Sequence, residues 1–220
     1  MAEPTTQSYK EILSYGLVVM AITHTLTHAL RNMHTALYPN LVQEFALTNQ
    51  QVGLISSIPS LISAIMSIPM GLLSDKIGAK KMIIFAIVIA TTGGLTAGLS
   101  QNPLTLIIAV SLLYLSTTIY HPASYSFTTF LFEPKDRPKA LGIQGAGGTL
   151  GLALGPLTVS ILVGVLGFGW RRVYLSWITP LLLGAVSVWY IKNYQHPMTR
   201  IRHQTTLEYQ VQTSYGQQVY

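Results

Sequence analysis

Three ionisable side chains fall on one face of the first apolar stretch of the sequence. His24, His28 and Arg31 are spaced at i, i+4 and i+7, which places them in one row along a helix. Burial against lipid is costly for such a row, so it must face a cavity or a partner helix. Imidazole suits proton transfer, because its ordinary pKa of about 6.5 lies close to working pH. Arg31 would attract an anionic group of a substrate or act on His28.

A fourth candidate, His121, precedes Pro122 in a later apolar stretch. The residues expected to form a substrate and proton pathway are His24, His28, Arg31 and His121. The alternative is that these side chains only satisfy one another or line the extracellular mouth of the protein. The run from His24 to His28 has the two-histidine spacing of zinc proteases, but Thr25 stands where that mechanism needs a glutamate. With no third ligand evident, the sequence predicts no metal site and no cofactor.

Composition places these residues in a membrane protein. Half of the 220 residues are hydrophobic and only 9% are charged, whereas soluble proteins carry about 25% charged residues. The net charge of +6 is not arranged as a basic stripe interleaved with aromatics, so no nucleic-acid partner is expected. The absence of cysteine excludes disulfides and thiolate metal sites. No phosphate loop or catalytic constellation is present, which argues against an ATP-driven pump and against an enzyme.

Six apolar blocks are each long enough to cross the ~30 Å hydrocarbon core of a bilayer. They run from Ile12 to Leu30, Val52 to Leu73, Met82 to Leu99, Leu104 to between Ile119 and Phe132, Ala140 to Leu166, and Val173 to Ile191. The predicted domains are therefore a polar N-terminus (1–11), a six-helix transmembrane domain (12–192) and a polar, disordered tail (193–220). The polar first ten residues argue against a cleaved signal peptide.

Positive charge predicts the orientation of the helices. If the N-terminus is cytoplasmic, ten of the 13 Lys and Arg residues fall on the cytoplasmic side. Only Arg31, Arg171 and Arg172 fall outside or within a span, so the positive-inside rule favours cytoplasmic termini. The expected location is the plasma membrane.

The loop after the second block carries a recognisable pattern. It reads Gly71-Leu72-Leu73-Ser74-Asp75-Lys76-Ile77-Gly78-Ala79-Lys80-Lys81. Gly71 would let two helices approach closely, and Gly78 would allow a tight turn. Asp75 could accept hydrogen bonds from the N-terminus of a neighbouring helix.

This loop closely resembles the signature loop of the major facilitator superfamily: glycine–any–leucine–small–aspartate–basic–any–glycine, followed by basic residues. It departs from the pattern at Ala79, where a basic residue is common. The resemblance places the loop between helices two and three on the cytoplasmic side, and it implies that Asp75 helps to latch the outward-facing state. The residues of this implied latch loop are Gly71, Asp75, Lys76, Gly78 and Lys80.

The fifth block resembles the "antiporter" motif in the fifth helix of the family's exporters. Glycine recurs there at every fourth residue and a proline follows, which suits close helix packing and a kink. The residues are Gly147, Gly151, Gly155 and Pro156. Val159 and Ser160 stand where those exporters carry a further glycine pair, which weakens the resemblance to an exporter.

Other segments extend the resemblance from Lys10 to about Lys192. Gly169–Arg172 matches the family's glycine–tryptophan–arginine entry into helix six. Tyr120–Ala123 and the Pro39–Leu54 run resemble the fosmidomycin-resistance branch of small-molecule exporters.

Proton-coupled members of the family often carry an arginine midway along helix four, but Val110 occupies that position here. Any proton carrier must therefore be another residue, and facilitated diffusion or another coupling ion stays open.

The resemblance implies an all-α membrane protein that forms one half of the family's twelve-helix fold, built from two inverted three-helix repeats. The expected function is proton-coupled export of a small molecule, carried out together with a second six-helix half from a copy of the chain or from a separate chain. A partner is expected because the row of polar residues on a lone half would face lipid. The alternatives are a truncated product that transports nothing, and a membrane protein that regulates a full-length relative.

Overall fold

A computed structural model describes residues 13–191, and the chain is helical through most of that range. The helices are α1 (Tyr15–Ala36), α2 (Tyr38–Phe45), α3 (Asn49–Ile77), α4 (Ala79–Leu99), α5 (Pro103–Leu131), α6 (Arg137–Val159, continued by a π-helical segment, Ser160–Val165), α7 (Trp170–Ser176) and α8 (Ile178–Tyr190). The expectations for the N-terminus (1–11) and the tail (193–220) lie outside the described residues.

The predicted all-α membrane class is confirmed. Five of the described helical segments are long and apolar enough to cross a membrane: α3, α4, α5, α6 with its π-helical segment, and α7 with α8. Helix α1 has sufficient length at 22 residues, but the polar residues between His24 and His34 lower its apolar content. It also runs six residues beyond the predicted end at Leu30.

Local sequence signals set the helix ends. Thr48 caps α3 in a capping box, in which its backbone N–H donates to Gln51 Oε1 at 2.8 Å and its hydroxyl accepts from Gln51 N at 3.3 Å. Asn102 caps α5 by accepting from Thr105 N at 2.9 Å, and Pro103 suits the first helical turn that follows. These caps satisfy backbone donors that have no partner within the helix.

The loop that the sequence predicts between the second and third blocks is much shorter in the structure. Helix α3 continues to Ile77 and α4 begins at Ala79, so Gly78 alone joins them. Gly78 has φ +96°, a conformation that costs residues with a Cβ considerably more than glycine. Asp75 and Lys76 therefore lie on the last turn of α3, and Lys80 lies on the first turn of α4.

The helices pack around α1, α4 and α5. Helix α1 packs against α6, α5 and α8, whereas α4 packs against α5, α7 and α8. Successive spans run in opposite directions, so one end of the bundle holds Gly78 and the turn before Arg137 (the Gly78 end). The opposite end holds α2 and the turn before Trp170 (the Glu44 end).

Helix α3 is the least covered of the spans. Only 11% of its most apolar stretch is buried, compared with 50% for α4. Its large exposed apolar side chains are Leu54, Leu61, Ile65, Ile68, Leu72 and Ile77. Within the described residues α3 packs mainly on α5, which leaves a long apolar face open.

Candidate functional site

Three histidines from two helices meet in the middle of the bundle (the histidine cluster: His24, His28, His121). His28 Nε2 lies 3.2 Å from His121 Nε2, and the ring centroids of His24 and His28 are 4.6 Å apart. The His121 ring lies 5.1 Å from each of the other two. His24 is nine residues into α1, or about 14 Å from its start at 1.5 Å per residue. The structure therefore brings together the histidines that the sequence singled out.

A glycine face on α6 positions the His24 side of the cluster. A Cβ at Gly147 would lie 2.5 Å from Ala21 O, and one at Gly155 would lie 2.5 Å from Ala29 O. Only glycine therefore lets the backbones of α1 and α6 come this close. This close approach of α6 to α1 allows His24 Nδ1 to contact Gln144 O at 2.8 Å, while the hydroxyl of Thr25 donates to Gly147 O at 2.8 Å.

Pro156 continues the same seam between α1 and α6. Because proline has no N–H, it cannot bond to the carbonyl of Leu152 four residues earlier. Asn32 Nδ2 supplies a donor to that carbonyl at 2.8 Å, as membrane helices commonly do around proline. The π-helical segment begins four residues later, at Ser160.

Arg31 lies beside the cluster on the side towards the Glu44 end. Its guanidinium carbon sits 4.1 Å from the centroid of the Tyr114 ring, a cation–π contact that holds the charge at this depth. Nothing in the sequence marks Tyr114 as functional, since a tyrosine at a single position carries no spacing signal.

Two further buried residues complete the site. The Tyr120 hydroxyl donates to Met20 O at 3.0 Å and lies 2.8 Å from the Thr23 hydroxyl, and its ring stacks on His24 with centroids 5.6 Å apart. Gln144 is fully buried, and its side-chain amide has no hydrogen-bond partner within the described residues. No pattern in the sequence points to Gln144, because its role depends on the approach of α6 to α1.

The sequence predicts no metal site because no third ligand is evident, but the structure places a third candidate ligand next to the first two. Sequence spacing offered only His24 and His28, but His121 from α5 provides a third ligand. One ring nitrogen from each of the three lies within 4.8 Å of the others. The prediction that no metal binds stays untested.

Of the residues of the implied latch loop, Lys80 contacts another helix, whereas Gly71, Asp75 and Lys76 do not within the described residues. Lys80 Nζ donates to Trp189 O at 2.8 Å and to Ile191 O at 2.6 Å, so it caps the C-terminus of α8. A Cβ at Gly71 would meet nothing within 4 Å, so the close helix approach expected there does not occur within the described residues. Asp75 and Lys76 are exposed, and the Asp75 carboxylate makes no hydrogen bond or ion pair within the described residues. The latch role stays a prediction.

A polar clamp joins three elements at the Glu44 end. Arg171 Nη1 lies 2.6 Å from Glu44 Oε1, and Trp170 Nε1 donates to Glu44 Oε2 at 2.5 Å. Arg171 also donates to Ser100 O at 2.9 and 2.7 Å. Partial burial would raise the pKa of Glu44, but the hydrogen bonds from Trp170 and Arg171 and the charge of Arg171 together lower it.

Glu44→Gln is expected to lower the melting temperature slightly at neutral pH, because the clamp is half-exposed and worth about 1 kcal/mol at most. With a lowered folded-state pKa, the clamp contributes fully above the ordinary carboxyl value of 4.5. Its contribution is lost as pH falls through the folded value. The difference in melting temperature between wild type and Glu44→Gln should therefore shrink on acidification. Glu133→Gln is the control, since the pair of Glu133 and Lys135 is largely exposed; an equal effect there would argue against the clamp.

Comparison with known proteins agrees with this architecture. Residues 20–214 match the family model of the Major Facilitator Superfamily. The fosmidomycin resistance protein of Escherichia coli is 24% identical over 211 residues, which are 94% of this chain and 51% of that relative. The methyl viologen resistance protein SmvA of Salmonella typhimurium is 33% identical over 138 residues, 62% of this chain and 28% of that relative.

A solved structure has the same fold. The crystal structure of a bacterial homologue of the human lysosomal transporter Spinster, inward-facing and unoccupied, superposes with a TM-score of 0.72 at 22% identity. The match covers 88% of this chain and 44% of that one. The chain thus spans about half the length, or less, of the relatives it matches.

Proposed function

Because the chain belongs to the Major Facilitator Superfamily, we propose that it supplies one half of a secondary transporter that exports a small molecule in exchange for protons. The observation that carries the proposal is the contact between His28 and His121, 3.2 Å apart and half-buried, between two helices at mid-bundle. Ionisable groups at that depth are costly and mark transport pathways in membrane proteins.

Histidine is the proposed proton carrier because the interior of the described bundle has no carboxylate. The acidic residues between positions 13 and 191 are Glu44, Asp75, Glu133 and Asp136, and each lies near an end of a helix. The ionisable groups that act on His28 are His24 and Arg31 on α1 and His121 on α5. The rings of Tyr120 and Tyr125 pack against His24 and His121. A proton taken up by this group would be held by His24, His28 or His121.

The proposed second six-helix half would cover surfaces that this half leaves open. His28, Arg31 and His121 are only half-buried, and lipid would be a poor environment for them. The exposed face of α3 and the open space at Gly71 would also gain neighbours. A partner half would supply the contacts that the latch residues Asp75 and Lys76 lack within the described residues.

The packing supports six spans in two inverted repeats. With α1 counted as the first span, α1 packs on α6 as α5 packs on α3. In two equivalent three-helix repeats, the first span corresponds to the fourth and the second to the fifth. The contact of the first span with the fifth is then equivalent to the contact of the fourth with the second, as observed.

Charge supports cytoplasmic termini. Of the described Lys and Arg residues, six lie at the Gly78 end: Lys76, Lys80, Lys81, Lys135, Arg137 and Lys139. Arg171 and Arg172 lie at the Glu44 end, so the positive-inside rule puts the Gly78 end in the cytoplasm.

The direction of transport and the class of substrate are inferred from two further observations. Two relatives are named for resistance to fosmidomycin and to methyl viologen, and export is one way to confer resistance. Arg31, with no carboxylate beside it at mid-bundle, favours an anionic compound over a cation. Fosmidomycin, an anionic phosphonate, and methyl viologen, a dication, are therefore contrasting test compounds.

The proposal is tested by export from the host that makes the protein. Cells with and without the gene are loaded with each compound, and efflux is followed with and without a pH gradient across the membrane. We expect faster, gradient-dependent efflux of the anion when the protein is present. Identical efflux of both compounds in both strains would count against export by this protein.

A further inference from the structure

We propose that the histidine cluster is a binding site for a divalent transition-metal ion, with Zn²⁺ as the test ion. The inference goes beyond the proposed transport activity and does not rest on it. The observation behind it is that three imidazoles from α1 and α5 converge with a ring nitrogen of each within 4.8 Å of the others.

The spacing of the ring nitrogens is close to that of a three-histidine site. Zn–N bonds of 2.0–2.1 Å in a tetrahedron put neighbouring nitrogens roughly 3.3 Å apart. His28 Nε2 and His121 Nε2 are 3.2 Å apart as a hydrogen-bonded pair, so an ion can replace the proton between them with little movement, and that proton is released on binding. The third ligand, His24, lies within 4.8 Å, and movement of the half-buried His28 and His121 side chains towards it would bring all three to bonding distance.

The contacts of His24 are those of a prepared ligand. Its Nδ1 lies 2.8 Å from Gln144 O, and a carbonyl can only accept, so Nδ1 carries the proton. Nε2 then presents a lone pair, and it is buried without a partner on a side chain that is 2% exposed. Metal-bound histidines commonly donate their other N–H to a backbone carbonyl in this way. A metal would explain why the lone pair is left unpaired.

His24 is also held in place from the α6 side. A Cβ at Gly148 would lie 2.6 Å from His24 Cε1, so glycine at 148 leaves the space that the ring occupies. Gly148 is therefore a positioning residue for the site.

The chemistry of the ligands favours a metal of the zinc type. Neutral imidazole suits Zn²⁺, Cu²⁺ and Ni²⁺ much better than Ca²⁺ or Mg²⁺, which prefer oxygen ligands. Among the described residues, no fourth His, Cys, Asp or Glu joins the group. The fourth position would be open to water or to an anion, and the positive charge of Arg31 nearby favours an anion there. A metal ion and a transported proton would compete for the same lone pairs of the histidines. Metal binding must therefore be measured separately from transport.

The test is metal binding by the full 220-residue chain in detergent, where no transport takes place. His196 and His203, in the tail, are first replaced by alanine so that only the buried histidines remain. Zn²⁺ binding is followed by equilibrium titration and Co²⁺ binding by visible absorption, which identifies four-coordinate geometry. We expect one ion per chain and a four-coordinate Co²⁺ spectrum.

Matched variants separate the site from general effects on folding. His28→Ala and His121→Ala should each weaken binding by more than about 100-fold, and Gly148→Ala by roughly 10- to 100-fold, as expected for a group that supports a ligand. His34→Gln should bind as wild type, because His34 lies on α1 outside the cluster, with its Nδ1 beside Arg31 O. Each variant is compared by elution volume and melting temperature. Absence of saturable binding, or equal affinity in folded His28→Ala and His34→Gln, would overturn the proposal.

Discussion

Replacing His28 by alanine should abolish pH-gradient-driven export while leaving the protein inserted in the membrane at the wild-type level. The centroid of the His28 ring lies 4.6 Å from that of His24, and His28 Nε2 lies 3.2 Å from His121 Nε2. Its removal breaks the only imidazole–imidazole hydrogen bond between α1 and α5 in the described residues. No carboxylate lies at this depth to take the place of His28, and His121 loses the hydrogen-bonded partner through which a proton would pass between α1 and α5. The measurement is the efflux assay described above, normalised to the amount of inserted protein.

The control for this variant is His203→Ala, which removes an imidazole outside the described bundle. Its export should match that of the wild type. Gradient-driven export that persists in His28→Ala would remove His28 from the proton pathway. Export that persists but no longer depends on the gradient would mean that His28 couples the proton without being needed for passage of the substrate.

Gly151→Ala should destabilise the bundle severely. An added Cβ would lie 2.8 Å from His28 Cβ and 3.1 Å from Ala29 N, and it would overlap Thr25 O. Two of these neighbours are backbone atoms that cannot move aside without separating α1 from α6. Overpacking of this kind typically costs about 1–3 kcal/mol, and here it would also displace His28. We expect a much lower melting temperature in detergent and reduced accumulation in the membrane.

Gly145→Ala on the same helix is the matched control. A Cβ there meets nothing within 4 Å, and alanine favours a helix over glycine by up to about 1 kcal/mol. Its melting temperature should equal or exceed that of the wild type. Similar losses in both variants would mean that glycine is needed along α6 for flexibility and not for close packing.

The order and approximate bounds of most helices could be predicted well, because the length of an apolar stretch and the residue types in a loop are local features of the sequence. The blocks Met82–Leu99 and Val173–Ile191 match α4 and α7–α8 to within three residues. Local patterns failed where tertiary contacts extend a helix. Helix α1 continues past Leu30 because His34 is packed inside the bundle, and α2 was missed since its eight residues are too short and polar to stand out.

The candidate site could be predicted in part. The spacing of His24, His28 and Arg31 along a single helix is readable from the sequence. The distance between α1 and α5 is not readable, so the sequence could assign His28 and His121 to one pathway but could not show that they are in contact or that His121 is a third potential metal ligand. Contacts such as that of Arg31 with Tyr114 also depend on the packing of separate helices, which no local pattern encodes.

The measurement that tests the central claim most directly is the native mass of the protein, extracted gently with its lipids from the membrane of its own host. If the histidine cluster lines a cavity between two halves, the protein should be recovered in a complex that contains a second six-helix half, whether a copy of itself or another polypeptide. Recovery of this chain alone as a stable unit would contradict the claim that this bundle works as half of a transporter.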